Sequence, residues 1–289
     1  MTTIVWHGGR ILAEGEPAID ALSHGYTVGD GAFETIGVRG GEPFALTLHL
    51  NRLEGSLSRL RLGDLDRDAV RDGVAAVLEA GSGSVTRLRV TVSAGSGPLG
   101  SARPDSPLAL TVAGSPSTRA ESCVAVRAPW RRNEFSPVTG VKTTSYAENV
   151  MLLAFARDRG ADEAWVQNTR GHLCEGSGSN IFIERGGEIL TPPLSSGCLA
   201  GVTRGLALQW GAAAGLPVRE AVDGELPWAV LDELTSGEVF AAATSATRGV
   251  QPVSSLDGEA VPVGPVLARL HEVFEEAAEA EHDPVLGGA

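Results

Sequence analysis

The sequence predicts an α+β fold in two domains, on three observations. Glycine pairs between apolar runs mark hairpins at Gly8-Gly9, Gly40-Gly41 and Gly186-Gly187. Helical stripes come in blocks, two in succession between residues 46 and 80, instead of alternating one for one with strands as in a doubly wound sheet. A small, polar, proline-bearing stretch, GSPSTRAE at 114–121, interrupts the pattern. The domains expected are therefore 1–113 and 122–289, with 114–121 as linker. A length of 289 residues allows one large domain or two of ordinary size.

The elements follow in order. Residues 3–12 form a hairpin turned at His7-Gly8-Gly9, and runs 33–39 and 42–48 pair across Gly40-Gly41. Leu46, Leu50, Leu53, Leu57 and Leu60 recur at spacings of four and three, one face of an amphipathic helix. A second helix covers 66–80. RLRVTVSAG (87–95) alternates and is β-branched, so it is a strand; the Gly- and Pro-rich 96–104 is a loop, and 108–113 is another strand. Beyond the linker come a strand at 123–128, a helix near 146–159, and strands at 163–168, 180–184 and 188–191, with hairpin turns at Arg170-Gly171 and Gly186-Gly187. A helix over 202–214 and a strand over 237–243 precede the last helix, 264–281. There Val266, Leu270, Val273 and Ala277 share a face opposite Glu272, Glu275, Glu276 and Glu279, a solvated acidic surface.

Composition excludes several classes of function. A net charge of −13 argues against nucleic acid or an anionic membrane as partner. No run of about 18 apolar residues predicts a membrane span, and the N-terminus lacks the pattern of a secretion signal. Three scattered cysteines, Cys123, Cys174 and Cys198, make neither a disulfide framework nor a zinc site, so no metal is expected and a reducing cytoplasm is.

Four segments carry more chemical detail than structure alone needs. Lys142 stands in VKTTSY among apolar and hydroxyl residues, just before a helix. Such a lysine is a solvated surface charge more often than not; in a desolvated setting it is an amine able to form a Schiff base. Glu175 in CEGSGSNIF is a loop glutamate or, if buried, a partner for a protonated ring nitrogen. Val202 and Thr203, in SGCLAGVTR, open a helix whose free amides suit an anion, or which is simply capped. Ser245, Thr247 and Arg248 in ATSATRG follow a strand end and are a polar turn or a second anion site. No Walker phosphate loop exists. Each segment is weak alone. A lysine, an acid and two hydroxyl-bearing anion turns together describe a site for pyridoxal 5′-phosphate (PLP).

With those motifs in place, the chain resembles the class IV aminotransferase family of fold-type IV PLP enzymes, from GYTVGDGAFET (25–35) to Gln251-Pro252-Val253. That group holds branched-chain and D-amino acid aminotransferases and 4-amino-4-deoxychorismate lyases. The resemblance implies Lys142 as the Schiff-base lysine and Tyr146 as donor to the cofactor's phenolic oxygen. It implies Glu175 as ring-nitrogen partner, and Arg52, Val202 and Thr203 as phosphate ligands. An ungapped match puts Ala246 where the family has a phosphate threonine, so Ser245 or Thr247 stands in. Phe33 falls at a substrate-pocket aromatic. The resemblance also implies a small amino substrate, a homodimer and a cofactor site at the domain interface.

Within the family the match is most like the lyase, which releases pyruvate and 4-aminobenzoate for folate synthesis. D-amino acid aminotransferases carry an Arg-x-His pair where this chain has Leu99 and Ser101. A basic residue common in the lyases is also missing at Leu99, a charge that Arg103 or Arg248 could supply instead. A branched-chain or broad amino-acid transaminase, with 2-oxoglutarate or pyruvate as acceptor, is the alternative. A PLP-binding protein without catalysis would not need both Lys142 and Glu175.

Overall fold

The computed structural model describes residues 3–103 and 105–287. Met1, Thr2, Pro104, Gly288 and Ala289, which the expected domains and the 96–104 loop include, lie outside the described residues. Two compact units form, one of residues 1–118, 141–146 and 282–285, the other of 119–140, 147–281 and 286–289. The first division falls inside the expected linker. The segments 141–146 and 282–285, expected in the second domain, belong instead to the first unit.

The first unit opens with the expected hairpin, β1 (Ile4–His7) and β2 (Arg10–Ile11), then a single helical turn, α1 (His24–Thr27). β3 (Gly31–Arg39) and β4 (Glu42–Pro43) precede α2 (Leu46–Leu60) and α3 (Arg67–Gly81). β5 (Arg87–Ser93) and β6 (Ala109–Ser115) complete a six-stranded antiparallel sheet, ordered β2-β1-β6-β5-β3-β4. Alternation along β5 sends Leu88, Val90 and Val92 to one face, where they meet Leu50, Leu53 and Leu57 of α2 and Val70, Val74 and Val77 of α3. Each such leucine contributes about 1.5–3 kcal/mol on burial.

The expected strand over 42–48 is only two residues long. Ala45, buried and at φ 55°, breaks it and turns the chain into α2. No side chain of Ala45 can cap that helix; the Thr47 amide and hydroxyl donate instead to the Asp283 carboxylate, at 2.8 and 2.6 Å. The Ala45 amide donates to the His282 carbonyl. These bonds bring 282–285 into the first unit. The other borrowed segment extends the sheet. Beside the N-terminal half of β3, Ala32 bridges Thr143, the Phe33 amide donates to the Lys142 carbonyl, and the Thr144 amide to the Gly31 carbonyl.

The second unit begins with β7 (Cys123–Arg132), α4 (Ala147–Arg157), β8 (Glu163–Asn168), β9 (Leu173–Gly176), β10 (Asn180–Arg185) and β11 (Glu188–Thr191). It continues through α5 (Val202–Ala213), β12 (Val218–Glu220), a 3-10 stretch over Trp228–Ser236, β13 (Val239–Ser245), β14 (Gly249–Leu256), β15 (Glu259–Ala260) and α6 (Pro265–Ala280). The sheet runs β12-β11-β10-β13-β14-β7-β8-β9, with β15 on β14. β9 stands where a Gly/Ser loop is expected, and β14 runs through Pro252, a residue that reads as a breaker. On α6 the glutamate face is not all solvated: Glu275 pairs with Arg119 at 2.9 Å. Among the described residues no helix is long and apolar enough to cross a membrane, and no acidic, His and Cys cluster suits a metal ion.

Candidate active site

In the first unit the candidate site lies on the sheet face away from the helices. Register puts Phe33 opposite Thr91 and Thr35 opposite Arg89 there. The Ala32–Thr143 bridge makes Lys142 the cross-strand neighbour of Phe33. Lys142 Nζ lies 4.5 Å from the centre of the Phe33 ring and 5.5 Å from that of Tyr146. The two rings meet edge to face at 5.1 Å. Lys142, Phe33 and Tyr146 are thus brought together, and Lys142 is the single lysine of the chain.

Sequence reasoning missed Arg89, whose guanidinium carbon sits 3.6 Å over the Phe33 ring. Its signal was legible: RLRVTVS alternates, which puts Arg89 on the polar face of β5.

Arg52 lies on the helix side, gripped by a carboxylate. Its Nε and Nη2 donate to Glu34 at 2.8 and 2.6 Å, and His49 Nδ1 donates to the same carboxylate at 2.7 Å. Burial alone would raise the Glu34 carboxyl; the Arg52 charge and the Arg52 and His49 hydrogen bonds outweigh it and hold the group down to about 2. Burial pulls the His49 imidazole below its ordinary value despite the Glu34 contact, and the nearby Arg52 and Lys142 charges push the same way. Arg103 is engaged elsewhere: it forks onto Asp30 at 2.8 and 2.7 Å and donates to the Arg61 carbonyl at 2.6 Å.

In the second unit Glu175 is not a loop residue but part of β9, opposite Val166. The Leu199 amide donates to its Oε2 at 2.9 Å, and Arg132 Nε stands 3.3 Å from its Oε1. Its neighbour Cys174 is fully buried and donates to the Ser196 carbonyl at 3.3 Å; burial raises that thiol, and Cys174 acts as a small core residue. Burial also pushes Cys123 up to about 12 and Cys198 to about 11, so all three thiols are inert.

The turn leading into α5 is tight. Asn180 Nδ2 donates to the Leu199 carbonyl at 2.8 Å, and a Cβ on Gly201 would sit 2.0 Å from Asn180 Oδ1. Only glycine fits there, and it caps α5 without a side-chain hydrogen bond. Val202 and Thr203, both buried, begin the helix. Across β10–β13, Asn180 pairs with Thr244, whose hydroxyl is buried and has no hydrogen-bond partner among the described residues. Ser245 ends β13 and Thr247 lies in the following turn. Thr244, two positions before Ala246, is therefore a further hydroxyl that the ungapped match passes over. Arg248 donates to the buried Glu163 at 2.6 Å.

Comparison with known proteins gives these arrangements a family. The model of the amino-transferase class IV family matches residues 31–256. A Methanocaldococcus jannaschii protein carrying a branched-chain-amino-acid aminotransferase name is 27% identical, over 94% of this chain and 95% of its own. A hypothetical aminotransferase from Mycobacterium tuberculosis, solved with PLP, superposes with a TM-score of 0.81 at 26% identity, covering 96% of this chain and 98% of that one. The same protein solved with alpha-ketoglutarate and PMP gives 0.82. A Legionella pneumophila protein named for 4-amino-4-deoxychorismate lyase gives 0.80 at 20% identity, over 91% and 96% of the two chains, a likeness of fold alone.

The residues present fit PLP. A phosphate needs several amide and hydroxyl donors in one place, and the uncapped start of α5 and the unspent Thr244 hydroxyl both border Asn180. A pyridine nitrogen needs a fixed carboxylate, and Glu175 is held at both oxygens. An aldehyde needs an amine, and the side chains of this sequence offer one, Lys142.

Proposed function

Because the chain belongs to the amino-transferase class IV family, an enzyme family that works with PLP, we propose that it is a transaminase moving an amino group from a monocarboxylic amino acid to a 2-oxo acid. One observation carries the choice over the lyase. A substrate that yields both pyruvate and 4-aminobenzoate has two carboxylates to hold, and the arginines expected to supply the added charge are committed. Arg103 forks onto Asp30, and Arg248 Nη1 donates to Glu163. Arg89, on the Phe33 ring, is the cation offered to one carboxylate, amid apolar and aromatic neighbours. The branched-chain aminotransferase name of the Methanocaldococcus jannaschii relative and the alpha-ketoglutarate complex of the Mycobacterium tuberculosis protein support the same direction.

The residues divide the work. Bound PLP supplies an electron sink for the substrate's Cα carbanion. Lys142 would hold the aldehyde through its amine and would move the proton at the substrate's Cα. Glu175 keeps the ring nitrogen protonated. Tyr146 donates to the phenolic oxygen, and Phe33 walls the substrate side. Val202, Thr203, Thr244, Ser245 and Thr247 hold the phosphate, whereas Arg52, which the resemblance implies as a further phosphate ligand, is spent on Glu34. The same reading takes the exposed Ile19, Leu22, Tyr26 and Leu99 as a self-association face of a homodimer. Three unpaired buried cysteines accord with a reducing, cytoplasmic setting.

Product stoichiometry tests the choice. L-leucine supplied alone yields one equivalent of 2-oxo acid per site and then stops until 2-oxoglutarate is added. Continuous pyruvate release from aminodeoxychorismate without an acceptor overturns the proposal in favour of the lyase. Borohydride reduction of the holoenzyme locks the cofactor onto the Lys142 peptide.

A further inference from the structure

Glu163 is a buried carboxylate with no place in the chemistry above, yet donors converge on it from two separate loops. It opens β8. From the loop between β9 and β10, Ser177 Oγ donates at 2.8 Å and the Gly178 amide at 3.1 Å. From the turn between β13 and β14, Arg248 Nη1 donates at 2.6 Å. The first loop begins after Gly176, one residue beyond Glu175; the second begins directly after Ser245, one residue beyond Thr244. We propose that Glu163 is a positioning residue: one buried carboxylate ties the two loops and so sets both the ring contact and the phosphate contact of this unit.

Close packing supports the assignment. A Cβ on Gly176 would lie 2.6 Å from Glu163 Oε2 and 2.5 Å from Ser179 Oγ, so the loop backbone is pressed against the carboxylate. Ser179 Oγ and Trp165 Nε1 are both buried there without hydrogen-bond partners among the described residues. A loop that leaves its own hydroxyl unsatisfied is held from outside, and Glu163 is the group with donors from it. A buried ion pair of this kind contributes little net stability against an apolar substitute, but it selects one arrangement of the groups that reach it.

The inference rests on the proposed roles of Glu175 and of the β13 turn, and its test keeps the two apart. PLP and pyridoxal, which lacks the phosphate, are titrated into cofactor-stripped enzyme, with thermal unfolding of each variant as control. Arg248→Met cuts only the arm to the phosphate turn, and its PLP affinity falls about tenfold while pyridoxal affinity holds, the scale of one charge-assisted hydrogen bond. Ser177→Ala cuts only the arm beside Glu175: PLP affinity stays within about twofold and kcat falls about tenfold. Glu163→Gln combines the two. Equal losses for PLP and pyridoxal in Arg248→Met and Glu163→Gln, tracking their unfolding temperatures, or no loss in either, overturn the positioning role. A wild-type enzyme that binds pyridoxal as tightly as PLP overturns the phosphate assignment beneath it instead.

Discussion

Each unit buries a carboxylate on which several side-chain donors converge, Glu34 in the first and Glu163 in the second. Glu34 is served by His49 and Arg52, three positions apart on one face of α2. A single docked helix fixes the whole cluster, which belongs to the core. Glu163 is served by a hydroxyl, an amide and an arginine from two loops. The same chemical group is thus a stability element where its partners share a helix, and a register pin where they arrive on separate loops.

The largest effect should follow from Glu34→Ala. It strands a half-buried arginine beside a buried histidine, and breaking such a buried pair costs about 3–5 kcal/mol. Urea unfolding measures the loss. A cost under about 1 kcal/mol would place Glu34 with the loop-type carboxylates and break the contrast.

Glu163→Ala should cost less, about 1–3 kcal/mol, because its partners are fewer charges and Arg248, 24% exposed, can turn toward water. Equal losses in the two variants would show that Glu163 is as much a core element as Glu34.

The smallest effect sharpens the comparison through pH. Glu34 folds with its carboxyl below the ordinary 4.5, so its contribution is complete above that value and drains as pH falls toward about 2. His49 folds with its imidazole below 6.5, so protonation of the unfolded chain favours unfolding as pH drops under that value. Both act in the acid direction. His49→Gln should cost only about 1 kcal/mol at neutral pH and flatten the upper part of the acid slope, while Glu34→Gln flattens the lower part. An unchanged slope in His49→Gln, followed by unfolding at stepped pH, would mean that its imidazole is already charged in the folded protein.

Much of this was legible in the sequence. The leucine stripe fixed α2, and 163–168 and 188–191 are strands in the structure with the same bounds. Phe33, far in sequence from Lys142 and Tyr146, does meet both. What escaped depends on register between distant segments. β9 looked like a loop because its glycine and serines continue past the strand end, and only pairing with β8 reveals it. Thr244 was hidden because an ungapped match counts positions, whereas its place opposite Asn180 comes from the sheet. Arg103 and Arg248 looked available because nothing local announces Asp30 or Glu163 as their partners. Helices are written in short-range periodicity; carboxylate partners are written in the fold.

The Asp283 cap on α2 has a consequence for synthesis. Thr47 must wait 236 positions for the carboxylate that receives its amide and hydroxyl. On a ribosome, the first unit therefore emerges with its sheet and leucine face complete in sequence but with the start of α2 still open. Its closing bonds form after the second unit has been made, so vectorial synthesis delivers the first unit early and finishes it late.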